Sequence, residues 1–305
     1  MCTERIRDDE LDGVDLSSWR MALDGAEPIR PATLEAFAAR FARWGFAPEA
    51  LQPVYGLSEA ALAVTATPPL RGPRRITAAP LPLAEGRLER AAEGVTLVSV
   101  GPPLPGFEVR IVDEAGQALP EGRVGQIQAR GPSVMQGYLD RADQPFVDGW
   151  LRTGDLGLMD AGELIVTGRA KDVLVHRGRN HAPQDLEQAA DTVPGVRTGC
   201  VVAVADLDEG ERLYLLAEVR EPHEGQADAV LAAVREATGV TVDAVLLLAP
   251  GTLPRTSSGK LRRGEALRQL REGTLAPPRA VTPWMLAGAL GDSLLGHLAA
   301  RWGRR

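Results

Sequence analysis

Apolar positions recur at helical spacing early in the chain. Leu34, Phe37, Phe41 and Trp44, with Glu and Arg between them, predict an amphipathic helix after Ile29-Arg-Pro-Ala-Thr. From Thr96 the texture changes to short apolar runs bounded by Gly and Pro. Thr96–Val100, Glu108–Val112, Val124–Arg130 and Glu163–Thr167 read as strands of a small β subdomain. Beyond Gly168 both periods alternate. Val173–Val175, Val201–Val204 and Tyr214–Val219 predict strands, and Val242–Leu248 is a further apolar run. Pro183–Ala190, with proline in its first turn, and Asp228–Ala237, ended by Thr-Gly, predict helices; Leu261–Leu270 predicts a basic one. This second group is an α+β module of about 110 residues, large enough to fold alone, with a boundary near Gly168–Asp172. Thr67–Gly94, rich in Pro, Arg and Ala, reads as an insertion or long loop. At the end, Leu286, Leu290, Leu294, Leu298 and Trp302 form an apolar helical stripe closed by Arg301, Arg304 and Arg305.

A length of 305 residues passes the size at which single cores stop growing, about 250–300, and so favours more than one unit. The net charge of −7 supplies no field for nucleic acid or anionic lipid, so no nucleic-acid partner is expected. The N-terminus is charged without an apolar leader core, and no uncharged run approaches the roughly 20 residues that span a bilayer. Cys2 and Cys200 are too few for a disulfide framework or a thiolate zinc site, and read as reduced thiols of a cytoplasmic protein.

Five motifs carry candidate chemistry. Tyr55-Gly56-Leu-Ser58-Glu59-Ala places a tight turn between an aromatic ring and a hydroxyl–carboxylate pair. The ring can stack on a base, the hydroxyl can meet a phosphate, and the carboxylate can hold Mg²⁺. The bland alternative is a loop leading into a helix over Glu59–Val64. Gly149-Trp-Leu-Arg-Thr-Gly-Asp155-Leu-Gly ends a loop with an acid between glycines, able to reach a ribose diol. Gly168-Arg169-Ala-Lys171-Asp172 follows, then Gly178-Arg-Asn-His-Ala-Pro-Gln-Asp-Leu-Glu. Near the end, Thr256-Ser-Ser-Gly-Lys260 presents a lysine from a turn, a point charge for negative charge developing on phosphate or carboxylate.

In this order and spacing the constellation resembles the adenylate-forming superfamily of acyl-CoA synthetases, luciferases and peptide-synthetase adenylation domains, and within it the fatty acyl-AMP ligases. Trp19-Arg-Met-Ala-Leu-Asp-Gly-Ala-Glu-Pro-Ile-Arg is similar to their adenine-side strand and loop. The resemblance implies an α/β and α+β fold: residues 1–168 as the remainder of a large AMP-binding domain, 169–278 as a small mobile C-terminal domain, and 279–305 as a helical tail. It implies that Gly25, Ala26, Glu27 and Pro28 line the adenine, that Tyr55 stacks on it beside Gly56, and that Ser58 meets the α-phosphate. Glu59 would hold Mg²⁺, Asp155 the ribose hydroxyls with help from Arg169, and Lys171 would mark the hinge. Lys260 would bridge carboxylate and phosphate as an acyl-adenylate forms. The implied reaction is ATP-dependent activation of a fatty acid, with an acyl carrier protein as acceptor. Glu59 and Gly101 are 42 residues apart, a longer step than ordinary acyl-CoA synthetases take. The surplus over residues 67–94 matches the insertion of fatty acyl-AMP ligases, which in them restrains the small domain.

One departure stands out. The Thr/Ser/Gly-rich phosphate loop that the family carries in its N-terminal half does not occur before Trp19, and Gly-x-x-x-x-Gly-Lys-[Ser/Thr] is absent throughout. The sequence therefore reads as the latter half of an adenylating enzyme, a truncated or split form that needs an N-terminal partner chain and is inactive alone. Two alternatives remain open. One is a non-catalytic AMP- or carrier-binding module. The other is a serine hydrolase on Ser58, with Asp155 and one of His176, His181, His223 or His297, which would need an apolar strand directly before Gly56 where Gln52-Pro-Val-Tyr is a poor one. Gly291-Asp-Ser293-Leu echoes a carrier-protein attachment site, but only 12 residues follow the serine.

Overall fold

Ala22–Asp24 (β1) runs parallel to Leu51–Leu57 (β2), with Leu23 beside Gln52 and Asp24 beside Pro53. In the computed structural model, residues 2–27, 29–176, 179–206, 212–257 and 259–277 are described. After the short α1 (Cys2–Arg5), α2 (Pro31–Phe41) is the amphipathic helix expected from its spacing. It buries Leu34 and Phe41 against Ala22, Phe46, Leu51 and Val98, and its end tightens to 3₁₀ over Ala42–Trp44. Leu62–Ala66 (β3) returns antiparallel to β2. The helix considered over Glu59–Val64 is not formed. Ser58–Ala60 makes one 3₁₀ turn, and the chain re-enters a strand where β-branched Val64 and Thr65 favour extension. Gly56 allows this crossing, since a Cβ there would stand 1.6 Å from the Leu62 carbonyl oxygen.

The segment read as a long loop is ordered. Arg75–Ala78 (β4) pairs antiparallel with Val95–Val98 (β5), and Pro80–Ala84 (α3) lies between them. Next come Glu108–Val112 (β6), Gly125–Arg130 (β7), Phe146–Val147 (β8), Trp150–Asp160 (β9) and Glu163–Arg169 (β10). They form an antiparallel sheet in the order β10-β9-β7-β6, with β8 on β9. The stretch around Asp155, read as the end of a loop, is the middle of β9, paired on both sides.

A 3₁₀ turn over Ala170–Asp172 leads to the hairpin Leu174–His176 (β11) and Arg179–His181 (β12). Pro183–Asp191 (α4), Val196–Asp206 (β13), Arg212–Val219 (β14), Gln226–Thr238 (α5), Ala244–Leu248 (β15) and Arg263–Arg271 (α6) complete the described chain. The last sheet is ordered β13-β14-β15, antiparallel then parallel. Along β13, Val201 and Ala203 face α4 and α5, while Val202 and Val204 pack with Ala266 of α6. Both faces are covered, so the strand reads as a continuous apolar run. Among the described residues no helix is long and apolar enough to cross a membrane. Pro28, the tail stripe from Leu286 to Trp302, and Ser293 lie outside the described residues.

Candidate active site

Parallel strands leave a crevice beyond their carboxyl ends, where successive loops part and ligands gather. The carboxyl end of β1 runs into Gly25-Ala26-Glu27, and that of β2 into Ser58-Glu59. Gly25 fits there because a Cβ would meet Val54 at 2.8 Å, and Ala26 takes a left-handed φ of 68°. Ser58 is exposed and Glu59 half-buried. The sheet thus brings two motifs that are 30 residues apart in sequence to one rim.

Asp155 joins this rim from the second sheet. Its side chain is 9% exposed. The Tyr55 hydroxyl donates to its Oδ2 at 2.7 Å, and Arg169 Nε approaches Oδ1 at 3.0 Å. Antiparallel register sets Arg169 directly opposite Asp155, which explains why a residue 14 positions later reaches it. Burial, reinforced by the Asp155 charge, pushes the Tyr55 hydroxyl far up, so it remains a donor at any physiological pH. The Tyr55 ring is itself buried with Ala60, Val64 and Val100. Its visible contact is the hydroxyl bond that orients Asp155.

Lys260 comes from the C-terminal sheet region. The Thr256 amide donates to the Lys260 carbonyl and the Lys260 amide to Thr256 Oγ1, across a tight turn that Gly259 permits with φ at 89°. From this turn Lys260 Nζ donates to the Ala26 carbonyl oxygen at 2.7 Å. Tyr55, Asp155 and Arg169 thus form one network, and Lys260 reaches the Ala26 carbonyl on the loop that follows β1. Lys171 is exposed in the turn between β10 and β11, with no part in that cluster. Its neighbour Asp172 pairs with Arg263 at 3.3 Å.

Sequence reading missed Tyr138. Its hydroxyl donates to Glu59 Oε1 at 2.5 Å, while Gln144 holds its backbone through bonds of 2.7 and 2.9 Å. Ser133 Oγ and the Met135 amide bond the carbonyls of Ala60 and Glu59, so the 133–138 stretch fixes the Ser58–Ala60 turn. No local pattern announces a contact 79 positions distant. Among the described residues no group of three or more His, Cys, Asp or Glu side chains gathers around a common point. A hard cation here would fit Glu59 in the manner of Mg²⁺, which takes one or two carboxylates and fills its sphere with phosphate and water oxygens.

The hydrolase alternative gains the strand it required, since β2 runs straight through Tyr55-Gly56. It loses its base. His176 bonds Asp243 at 3.2 Å and His223 the Glu224 carbonyl at 3.1 Å, while His297 lies outside the described residues.

Comparison with known proteins converges on one chemistry. A family profile described as AMP-binding enzyme matches residues 2–139. A 4-hydroxyphenylalkanoate adenylyltransferase of Mycobacterium marinum is 38% identical over 89% of this chain and 48% of its own length. A medium-chain-fatty-acid–[acyl-carrier-protein] ligase of Moorena producens is 36% identical over 90% of this chain and 51% of its own. A solved structure from work on fatty acyl-adenylate ligases of E. coli and L. pneumophila superposes with a TM-score of 0.82 at 36% identity, covering 89% of this chain and 51% of that one. The chain spans about half the length of the curated relatives it matches.

Proposed function

The chain belongs to the AMP-binding, adenylate-forming superfamily, with fatty acyl-AMP ligases among its relatives, and from that premise we propose that it supplies the nucleotide-holding and lysine-bearing portion of an enzyme that activates a fatty acid for an acyl carrier protein. The observations that support this most are the Tyr55–Asp155–Arg169 network and the reach of Lys260 from the small lobe to Ala26 on the adenine-side loop. In the reaction a fatty-acid carboxylate oxygen attacks the α-phosphorus of ATP. A new P–O bond forms as the bond to the β-phosphate bridging oxygen breaks, and pyrophosphate leaves with the electron pair. When bound, Mg²⁺ neutralises charge on the polyphosphate. Gly25, Ala26 and Glu27 border the adenine, Asp155 accepts from the ribose hydroxyls, and Ser58 donates to the α-phosphate. Lys260 balances charge on the attacking and leaving oxygens. We further propose that residues before 169 and after 172 act as a large and a small lobe, turning about Lys171 so that the acyl-adenylate can meet the carrier thiol.

The phosphate loop absent from these 305 residues would come from an N-terminal segment or partner chain. β1 supports this, being the edge of its sheet, with Trp19, Met21 and Leu23 exposed beside it. The test is two-part. The 305-residue chain alone should bind a non-hydrolysable acyl-adenylate analogue saturably in calorimetry, yet catalyse no ATP–pyrophosphate exchange with medium or long fatty acids. Asp155→Asn should weaken that binding roughly 10- to 100-fold, the worth of charge-assisted bonds to two hydroxyls. Absence of saturable binding, or robust exchange by the isolated chain, would overturn the reading. Binding that persists without exchange even after an N-terminal half is supplied would favour a purely binding module.

Tyr138→Phe tests the newly found contact. Without its hydroxyl the Glu59 carboxylate loses its direction, and half-maximal Mg²⁺ for exchange in an assembled enzyme should rise about 10- to 100-fold, the value of one charge-assisted bond. An unchanged Mg²⁺ titration would show that Tyr138 serves only the turn.

A further inference from the structure

We propose that Arg30 and Asp191 form a latch between the lobes, which holds the small lobe in register with the adenine-side loop and thereby positions Lys260 over it. The proposal rests on the lobe assignment above but not on the identity of the nucleotide. Arg30 and Asp191 are 161 positions apart, and the Arg30 guanidinium donates from Nη1 to Asp191 Oδ2.

Both partners stand on rigid mounts. Arg30 follows Ile29, which packs against two apolar clusters of the large lobe, and precedes Pro31 in the first turn of α2. Asp191 ends α4 directly after Ala189 and Ala190, both buried in the small-lobe core. Its carboxylate is 7% exposed and also accepts from the Gly199 amide at 3.0 Å. That amide satisfies a lone pair without neutralising the charge. A carboxylate so buried needs a cation, and Arg30, only 31% exposed, is the cation that meets it.

The loop between residues 25 and 30 is gripped at two points. Lys260 holds it through a neutral carbonyl at Ala26, a bond that water or a phosphate oxygen can replace at little cost. Arg30 holds it through two formal charges, and any rotation of the small lobe must separate and rehydrate them. The ion pair, rather than Lys260, should therefore set how much of the population has the lysine in reach. Arg30 and Asp191 are positioning residues: neither has a part in the reaction given above.

The experiment measures inter-lobe distance, with no need for turnover. Nitroxides are placed at Glu114→Cys in the large lobe and Arg220→Cys in the small one, both exposed positions, in a Cys2→Ser background with Cys200 buried. The otherwise unaltered chain should show a dominant compact distance in electron–electron double resonance. Arg30→Gln and Asp191→Asn should each cut that population by about 5- to 10-fold while the circular dichroism spectrum stays native. Arg30→Lys should retain most of the compact population, and added salt should lower it in the parent but not in Arg30→Gln. Asp191→Asn keeps an acceptor for Gly199; if it fails to fold, Arg30→Gln alone decides. A natively folded Arg30→Gln with an unchanged distance distribution and an unchanged salt response overturns the latch. Failure of the acyl-adenylate analogue to bind, with these distances responding as stated, would instead sink the nucleotide reading and leave the latch standing.

Discussion

Lys260→Ala should lower ATP–pyrophosphate exchange about 10²- to 10³-fold in an enzyme assembled from this chain and an N-terminal half that carries the phosphate loop. The expectation follows from what the lysine touches and what it would touch. In this structure its ammonium rests on the neutral Ala26 carbonyl from an exposed turn. Such a bond contributes about 1 kcal/mol net. In the proposed transition state the same ammonium would face charge gathering on the attacking carboxylate and the α-phosphate, where losing one preorganised donor costs about 3–4 kcal/mol. The difference falls on the chemical step, so binding of the acyl-adenylate analogue by the isolated chain should change no more than about threefold. Lys260→Arg should rescue poorly, because a planar fork does not reproduce a point charge at the end of a flexible stem. Pyrophosphate exchange and calorimetry on the same variants separate the two effects. Exchange within threefold of the parent after Lys260→Ala would remove the lysine from the reaction.

The parts of this architecture that could be read beforehand are those whose signal is local. The α2 periodicity from Leu34 to Phe41, the apolar runs of β13 and β14, and the proline that opens α4 each specify an element within a dozen residues. The motifs around Tyr55, Asp155 and Lys260 were legible as chemistry, and the resemblance implied one shared nucleotide, yet the set of contacts each makes was not legible. It depends on β9–β10 register and on a bond across 234 positions. Tyr138 escaped for the same reason, since a tyrosine in an irregular stretch carries no mark of its distant carboxylate. The Thr67–Gly94 stretch shows the limit most plainly. Proline and arginine made it read as an insertion or long loop, because its apolar residues are sparse; Ile76, Leu83 and Leu88 nonetheless pack with Leu158 and Ile165, and ion pairs to distant acids add to that. Arg71 and Arg74 grip Glu163, and Arg74 and Arg90 grip Asp160, all on acids some 70 to 90 residues downstream.

That ionic clasp leads to the second large effect, on stability. Glu163→Ala should cost about 2–3 kcal/mol and lower the melting temperature by roughly 3–5 °C. Glu163 is 7% exposed. Its Oε2 accepts from Arg74 Nε at 2.9 Å and Ser99 Oγ at 2.5 Å, Arg71 donates to Oε1, and Ser99 Oγ accepts in turn from the Gly101 amide at 3.0 Å. Truncation leaves two arginines without this acid and a buried hydroxyl without its acceptor. Arg71 and Arg74 keep part of their surface in water, 38% and 27% of the side chain, which places the cost below that of a fully buried pair. The same geometry fixes a pH signature. Burial alone would push the Glu163 carboxyl up, but Arg71, Ser99 and Arg74 outweigh it and hold the group down to about 2, against an ordinary 4.5. A carboxyl depressed in the folded state binds fewer protons there than when unfolded. Its stabilisation is therefore complete above pH 4.5 and lost as pH falls from there through about 2. Allowing for the solvent around the arginines, that loss amounts to about 1–2 kcal/mol. Denaturant melts of the parent and Glu163→Gln at pH 7, 5, 4 and 3 give the measurement. The gap between the two should be widest at pH 7 and 5 and should narrow towards pH 3, since glutamine has no proton to gain. A gap that stays constant with pH would mean that the clasp is held by shape rather than by charge.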